Sequence, residues 1–386
     1  MSSTALPDSE LHRTIANNQY TNDVTSTSYS LVDIVLDLSA DQQGNVGEDV
    51  ISLLNTIPSF SHIHWRIMPL LFEAIVQSRL SDRIDPQVMA LLAQKSLQGA
   101  VHELLKSKQL NTLLTLLAEH DIPVILLKGT AFSKWLYTEG VPRLSSDLDI
   151  LVQPHDWNKT VDLLARTMSR EAKPVQGVFD DLYELSFKPK GEQLGVEIDV
   201  HKHLTHPTLF DVDLEGMWSR SVPHPAHKSE LIRMMSVPDA LIHQALHCFK
   251  DAEYKTYNLI DTAYLLKQEL TQHSIVQWDN VFALAKEQRA DVALYGLLSK
   301  LAAATQDDAL TAYLVQYNIS RLRKCAFEHL SSMHVTSHDV LNKTWRYRLL
   351  QFGFHAIVST KPLSMLKLQW LFMKCFFRKS KDKRSL

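Results

Sequence analysis

The stretch Val124-Ile-Leu-Leu-Lys-Gly-Thr130, followed by Arg143-Leu-Ser-Ser-Asp-Leu-Asp-Ile-Leu-Val152, constrains this chain more than any other. It reads as a buried strand, a tight Lys128-Gly129 turn, a short helix over 130–137, and a second buried strand carrying two aspartates one residue apart. Alternate strand residues share a face, so Asp147 and Asp149 project from the same side. Two carboxylates side by side repel each other unless a cation sits between them. A divalent metal shared with phosphate oxygens is the usual solution, because Mg²⁺ favours that mixed ligand set. Gly129 lets a backbone approach closely and opens a helix whose first amides are suited to phosphate.

Each piece has an ordinary reading. An Asp-x-Asp pair is often an exposed strand end, and Lys-Gly is often a cap or turn. The combination of both between two buried strands is much less common. A later segment, Gly195-Val-Glu-Ile-Asp-Val-His201, adds weight, because its alternation places Glu197, Asp199 and His201 on one face and Val196, Ile198 and Val200 on the other. Either acid is a candidate third carboxylate.

At these residues the sequence resembles the nucleotidyltransferase superfamily, and most of all its uncharacterised bacterial members with a Leu-Lys-Gly turn, found among polysaccharide and peptide biosynthesis genes. The Lys-Gly-Thr…Arg-x-Ser-x-Asp-x-Asp pattern is also similar to toxin-type nucleotidyltransferases. The superfamily pattern is a Gly-Ser turn, an Asp-x-Asp or Asp-x-Glu strand and a third carboxylate. Here Lys128-Gly129 stands at the turn, Thr130 is the nearest hydroxyl, and seventeen residues separate Gly129 from Asp147.

The resemblance favours Asp199 as the third acid, with Asp199-Val-His201 matching an acidic-x-His strand ending. It implies that Asp147, Asp149 and Asp199 are catalytic and hold Mg²⁺ or Mn²⁺. Lys128, Gly129, Thr130, Arg143 and Ser146 would line the nucleotide site. Lys128 either meets phosphate or points to solvent, Arg143 either meets phosphate or braces the loop, and Ser145 and Ser146 orient the aspartates. The resemblance also brings Lys255 and Asp261 to the site from a helical second domain. The expected activity is transfer of a nucleoside monophosphate from an NTP to a small molecule, sugar, peptide or RNA end. A noncatalytic scaffold and a toxin-type tRNA nucleotidyltransferase are the alternatives.

The expected fold class is α+β: a small mixed sheet flanked by helices. Residues 1–28, rich in Ser, Thr, Asn and Asp, read as a mobile tail. A helical cap follows over 29–121, with short helices at Leu31–Leu38 and Val50–Ile57, an amphipathic stretch at Trp65–Leu80, and a long pattern over Pro86–His120. The last has an apolar stripe of Leu91, Leu92, Leu104, Leu105, Leu113, Leu114, Leu116 and Leu117. The catalytic core spans 122–205, with strands at 123–127, 147–152, 183–188 and 195–201 and helices at 130–137 and 155–169. Pro189-Lys-Gly-Glu reads as a hairpin turn.

A helical domain follows over 230–365. Its His243 and His247 share a face without a metal-protease pattern and read as packing histidines. Residues 366–386 form an aromatic segment with a basic end, suited to an anionic membrane surface, a polynucleotide backbone, or nothing beyond a frayed core helix. With a net charge of −3 there is no global field to attract nucleic acid. Three scattered cysteines suggest a reducing, cytoplasmic setting, peripheral to a membrane if the tail binds one. The chain has neither an apolar N-terminal leader nor a run of the ~18 residues that a membrane span needs.

Overall fold

The computed structural model describes residues 34–36, 48–55, 65–137, 143–170, 183–191, 195–205, 210–251, 254–273, 276–317, 319–332 and 345–358. The N-terminal tail over 1–28 and the basic segment over 366–386 lie outside them, as does most of the expected helix at Leu31–Leu38. The fold is α+β. Helices precede the sheet at Glu48–Asn55 (α1), Met68–Gln77 (α2) and Pro86–Ala118 (α3). Lys128–Phe132 (α4), Trp157–Thr167 (α5) and Leu214–Arg220 (α6) lie among its strands. After it come Val237–Asp251 (α7), Thr256–His273 (α8), Trp278–Glu287 (α9), Asp291–Thr305 (α10), Asp308–Gln316 (α11), Arg321–Ser332 (α12) and Trp345–Val358 (α13).

The strands are Val124–Leu126 (β1), Asp147–Val152 (β2), Met168–Arg170 (β3), Glu184–Pro189 (β4), Glu197–His201 (β5), Val222–Pro223 (β6) and Ile232–Met234 (β7). They form one mixed sheet in the order β3-β4-β5-β2-β1-β7-β6. β1 and β2 sit at its centre, and all of β1 and everything in β2 beyond Asp147 is buried. That is why both read as continuous aliphatic runs rather than as alternating strands. β1 and β2 are antiparallel, whereas β2 and β5 are parallel. A parallel pair needs a long crossover, and α5, β3 and β4 supply it. The turn from β4 towards β5 uses Gly191 at φ 60°, a left-handed conformation that suits glycine.

Three elements depart from the sequence reading. The helix expected over 130–137 is α4, which begins at Lys128 and ends at Phe132. The helix expected to reach 169 stops at Thr167, because Met168–Arg170 pairs with β4 as an edge strand. β6 and β7 were not foreseen: they lie beyond residue 205, and β7 pairs in parallel with β1. Two or three residues between loops are too short to show a strand period.

The long helix α3 starts cleanly. Asp85 caps it by accepting from the Gln87 amide at 2.7 Å, and Pro86 takes the first helical position. Its two ends bury Val88, Leu92, Leu110, Leu113, Leu114 and Leu117 in the core. Its middle differs from the expected stripe: Leu104 is 72% exposed and Leu105 43%. There the buried positions are Ser96, Gly99 and Lys106. This part of the helix faces the polar loop before β2, so small and hydrogen-bonding residues fill its inner side. A Cβ on Gly99 would lie 2.8 Å from a methyl of Leu144, so the loop approaches the helix through the missing side chain.

Downstream, α10 is apolar nearly all round, with Val292, Ala293, Leu294, Leu297 and Leu298 at 0% exposure. Such a helix must be covered on every side. α7, α8, α9, α11, α12 and α13 all pack against it. Within the described residues no helix is long and apolar enough to cross a membrane.

Candidate active site

The β2–β5 register builds the acidic face. Asp149 stands directly across from Asp199, and Asp147 from Glu197, in a parallel ladder. Side chains opposite each other on adjacent strands share a face, so Asp147, Asp149 and Asp199 come together as the alternation requires. Their charge states diverge. Burial pushes the Asp147 carboxyl up, and the Asp149 charge reinforces that shift, with Asp199 adding to it; Lys128 and Arg66 oppose it. Burial would also raise Asp149, but Lys128 and His201 overcome it and hold that carboxyl well below the usual range.

The cause is visible in the contacts. Lys128 Nζ donates to Asp149 Oδ1 at 2.9 Å, and His201 Nε2 donates to the same oxygen at 3.1 Å. The other His201 nitrogen faces Glu184 Oε2 at 3.7 Å. On Asp199, Oδ1 accepts from the Ser186 hydroxyl. The Asp147 carboxylate accepts no hydrogen bond from the described residues. So Asp147, Asp149 Oδ2 and Asp199 Oδ2 remain available on one face. These are hard oxygen donors carrying mutually repelling charge, which is the chemistry a divalent Mg²⁺ or Mn²⁺ would relieve. Among the described residues no group of three or more His, Cys, Asp or Glu side chains is arranged to hold a metal by itself. An ion here would therefore draw further ligands from phosphates or water, as Mg²⁺ usually does.

The Lys-Gly turn supports this face from below. The Thr130 hydroxyl accepts from the Asp149 amide at 3.2 Å, tying α4 to β2. The amides of Thr130 and Ala131 turn back onto Leu127 O at 3.2 and 3.3 Å, so the turn offers fewer amides for phosphate than its sequence suggests. Gly129 is buried, and a Cβ there would lie 2.7 Å from Arg143 Nη1 and 2.9 Å from Ser145 Cβ. What demands glycine at this position is the packing of the next loop against the turn.

That loop, Arg143 to Ser146, is held from several sides. Arg143 is 5% exposed and Asp261, on α8, 0%. Arg143 Nε donates to Asp261 Oδ1 at 3.0 Å, Nη2 donates to Oδ2, and Nη1 donates to Leu144 O at 2.6 Å. The Tyr137 hydroxyl also donates to Asp261, at 2.6 Å. Burial works against the Arg143 charge, but the adjoining Asp261 carboxylate keeps it above its ordinary value. Arg143 thus braces the loop, and Asp261, brought in from the helical region, is its counter-charge. The Ser145 hydroxyl donates to Asp147 O at 3.0 Å and the Ser146 hydroxyl accepts from Arg66 Nη2 at 2.8 Å. Neither hydroxyl reaches a carboxylate, contrary to the orienting role expected for them.

Four participants escaped the sequence reading. On α3, His102 Nε2 donates to Ser145 O at 2.8 Å, and Lys106 Nζ donates to Ser145 Oγ at 2.7 Å and to Glu103. The side-chain amide of Gln109 brackets Val196 at the start of β5: it donates to the carbonyl at 2.9 Å and accepts from the amide at 2.7 Å. These residues are spaced i, i+4, i+7, one helix face, and that spacing is the signal that could have marked them in a leucine-rich helix. Arg66 stacks on Tyr257 with 4.7 Å between guanidinium carbon and ring centroid.

A family model described as an uncharacterised nucleotidyltransferase matches residues 62–305, more than half of the chain. The chain belongs to that family. The match runs from the loop carrying Arg66 to the end of α10, so this family unit contains the sheet, the α3 face that grips the loop, and Asp261. No curated protein matches the chain. Among solved structures, JHP933 from Helicobacter pylori is similar at 15% identity over 74% of this chain and 98% of that one. Its TM-score of 0.27 is too low to carry an inference.

Proposed function

We propose that this member of the uncharacterised nucleotidyltransferase family is a Mg²⁺-dependent enzyme, with Mn²⁺ as a substitute, that moves a nucleoside monophosphate from an NTP to an acceptor. The observation that carries this reading is the register that sets Asp149 against Asp199, with Asp147 beside them, half-buried and accepting no hydrogen bond from the described residues. A half-buried carboxylate whose charge is opposed by two neighbours is costly unless a ligand uses it.

In this reading Asp147 and Asp149 would hold the metal that carries the phosphates. When bound, the metal supplies charge neutralisation on the triphosphate and the leaving pyrophosphate. The acceptor attacks the α-phosphorus in line; the new bond forms there as the bond to the β-phosphate oxygen breaks and pyrophosphate leaves. Asp199 either completes the metal's ligand set or takes the proton that the attacking group loses. His201 keeps Asp149 ionised and fixed in orientation. Lys106, His102 and Arg143 hold the loop that carries Asp147, and a small misplacement there would cost much of the rate. The acceptor, a small molecule, sugar, peptide or RNA end, is chosen by surfaces that the fold alone does not specify.

The test is transfer from NTPs labelled at the α-phosphorus to acceptors in a cell extract. Wild type should transfer label only with Mg²⁺ or Mn²⁺. Asp199→Asn should keep most nucleotide affinity and lose turnover in single-turnover assays, the mark of an interaction made in the transition state. Glu197→Gln should lose less. A dead Glu197→Gln beside an active Asp199→Asn would reverse that assignment, and metal-independent transfer would remove the metal from the mechanism.

A further inference from the structure

We propose that Lys128 is a resident cation of the acidic face and that the site consequently takes one divalent ion, not two. The proposal rests on the nucleotidyltransferase reading and goes beyond it by giving the lysine a role and fixing the ion count.

The first observation is backbone conformation. Among the described residues, Arg79, Asp121, Lys128, Arg289 and Gln306 are the non-glycine residues at positive φ. Four of them lie just past the ends of α2, α3, α9 and α10, where a left-handed residue terminates a helix. Lys128, at φ 48°, is instead the first residue of α4, close after β1, where no helix ends. An L side chain is disfavoured there. Strain at such a position points to a demand from the site.

The second observation is where the side chain goes. Its ammonium lies 2.9 Å from Asp149 Oδ1, with the lysine side chain 20% exposed and the aspartate 4%. His201 Nε2 donates to the same oxygen at 3.1 Å. Two positively polarised donors therefore occupy Asp149 Oδ1. In two-metal sites the ions lie about 3.5–4 Å apart, a separation that a bridging carboxylate spans by giving one oxygen to each. Asp149 has only Oδ2 left to give. Asp147 accepts no hydrogen bond, so it and Asp149 Oδ2 can serve one ion together, while the ammonium stands where a second ion would need Oδ1.

The experiment counts ions rather than turnovers. Mn²⁺ is titrated into the full chain with a non-hydrolysable NTP analogue, and free Mn²⁺ is read by electron paramagnetic resonance. The wild type should take up one nucleotide-dependent Mn²⁺ per chain, Lys128→Arg one, and Lys128→Met two. Lys128→Leu, which also removes the donor beside Asp149, should likewise take two and serves if the methionine variant does not fold. Two ions in the wild type, or a single ion in every folded variant, would overturn the proposal and leave the nucleotidyltransferase reading standing. No nucleotide-dependent Mn²⁺ uptake in any of the proteins would overturn both.

Discussion

Replacing Asp261 with alanine is the sharpest test of how the site is held. The substitution removes both acceptor oxygens of Arg143 and the acceptor of the Tyr137 hydroxyl. It leaves a guanidinium that is 5% exposed with no carboxylate beside it. Breaking a buried pair by removing one partner costs about 3–5 kcal/mol, because the remaining charge cannot recover its hydration. At most ~2 °C is lost per kcal/mol in a chain this long. The expected fall in Tm is therefore up to about 10 °C, read by differential scanning fluorimetry alongside urea unfolding. The double variant Arg143→Met, Asp261→Leu should recover most of that loss, since replacing both partners with apolar groups is often close to neutral. Nucleotide affinity should fall in the single variant, because Arg143 holds the loop that ends in Asp147. A loss below about 1 kcal/mol, within the range of an exposed pair, would show that this ion pair does not hold the loop and would refute the reasoning.

The two aspartates of β2 should respond in opposite directions in the absence of metal. Asp147→Asn should raise Tm, and its gain should grow as pH rises from the ordinary carboxylate value through the raised one, because the penalty for ionising Asp147 builds across that window and is complete above it. Asp149→Asn should lower stability by less than the about 3–5 kcal/mol of a wholly buried pair, and Tm with it, since Lys128 is a fifth exposed and partly screened. That loss should shrink as pH falls below the ordinary carboxylate value, where the unfolded chain takes up a proton that folded Asp149 does not. Equal Tm shifts for the two variants would contradict the opposed charge environments. Gly129→Ala should cost about 1–3 kcal/mol by overpacking against Arg143 and Ser145, measured by urea unfolding. Gly296→Ala should cost a similar amount, because its Cβ would lie 2.6 Å from Phe327 and from the Tyr254 hydroxyl, yet leave nucleotide affinity unchanged.

The acidic face was legible because strand alternation is a short-range rule. Asp147, Asp149 and Asp199 follow from a period of two, and the family resemblance chose Asp199 over Glu197. The supports were not legible. Asp261 lies 118 residues from Arg143, and no local pattern announces that pair. Lys106 was hidden because a lysine within a leucine-rich helix looks solvent-facing, and only the approach of the Arg143–Ser146 loop buries it. The same approach turned Leu104 and Leu105 outward. Gly129 was legible as a special position but not for the right reason: the sequence suggested room for phosphate, whereas the space belongs to Arg143 and Ser145.

The place of β7 bears on the order in which this protein is made. Chains emerge from the ribosome N-terminus first, and β1 is translated about a hundred residues before Ile232–Met234, which covers its outer edge. Until then β1 presents unpaired amides and carbonyls, an invitation to pair with another chain. Asp261 arrives later still, and before it does Arg143 has no carboxylate to neutralise it. The acidic face is thus completed only once Asp261 has been made, and a chain interrupted after β5 carries all three aspartates without the means to position them. Dissection by truncation should respect this: a fragment cut at residue 205 is an exposed edge with a stranded arginine.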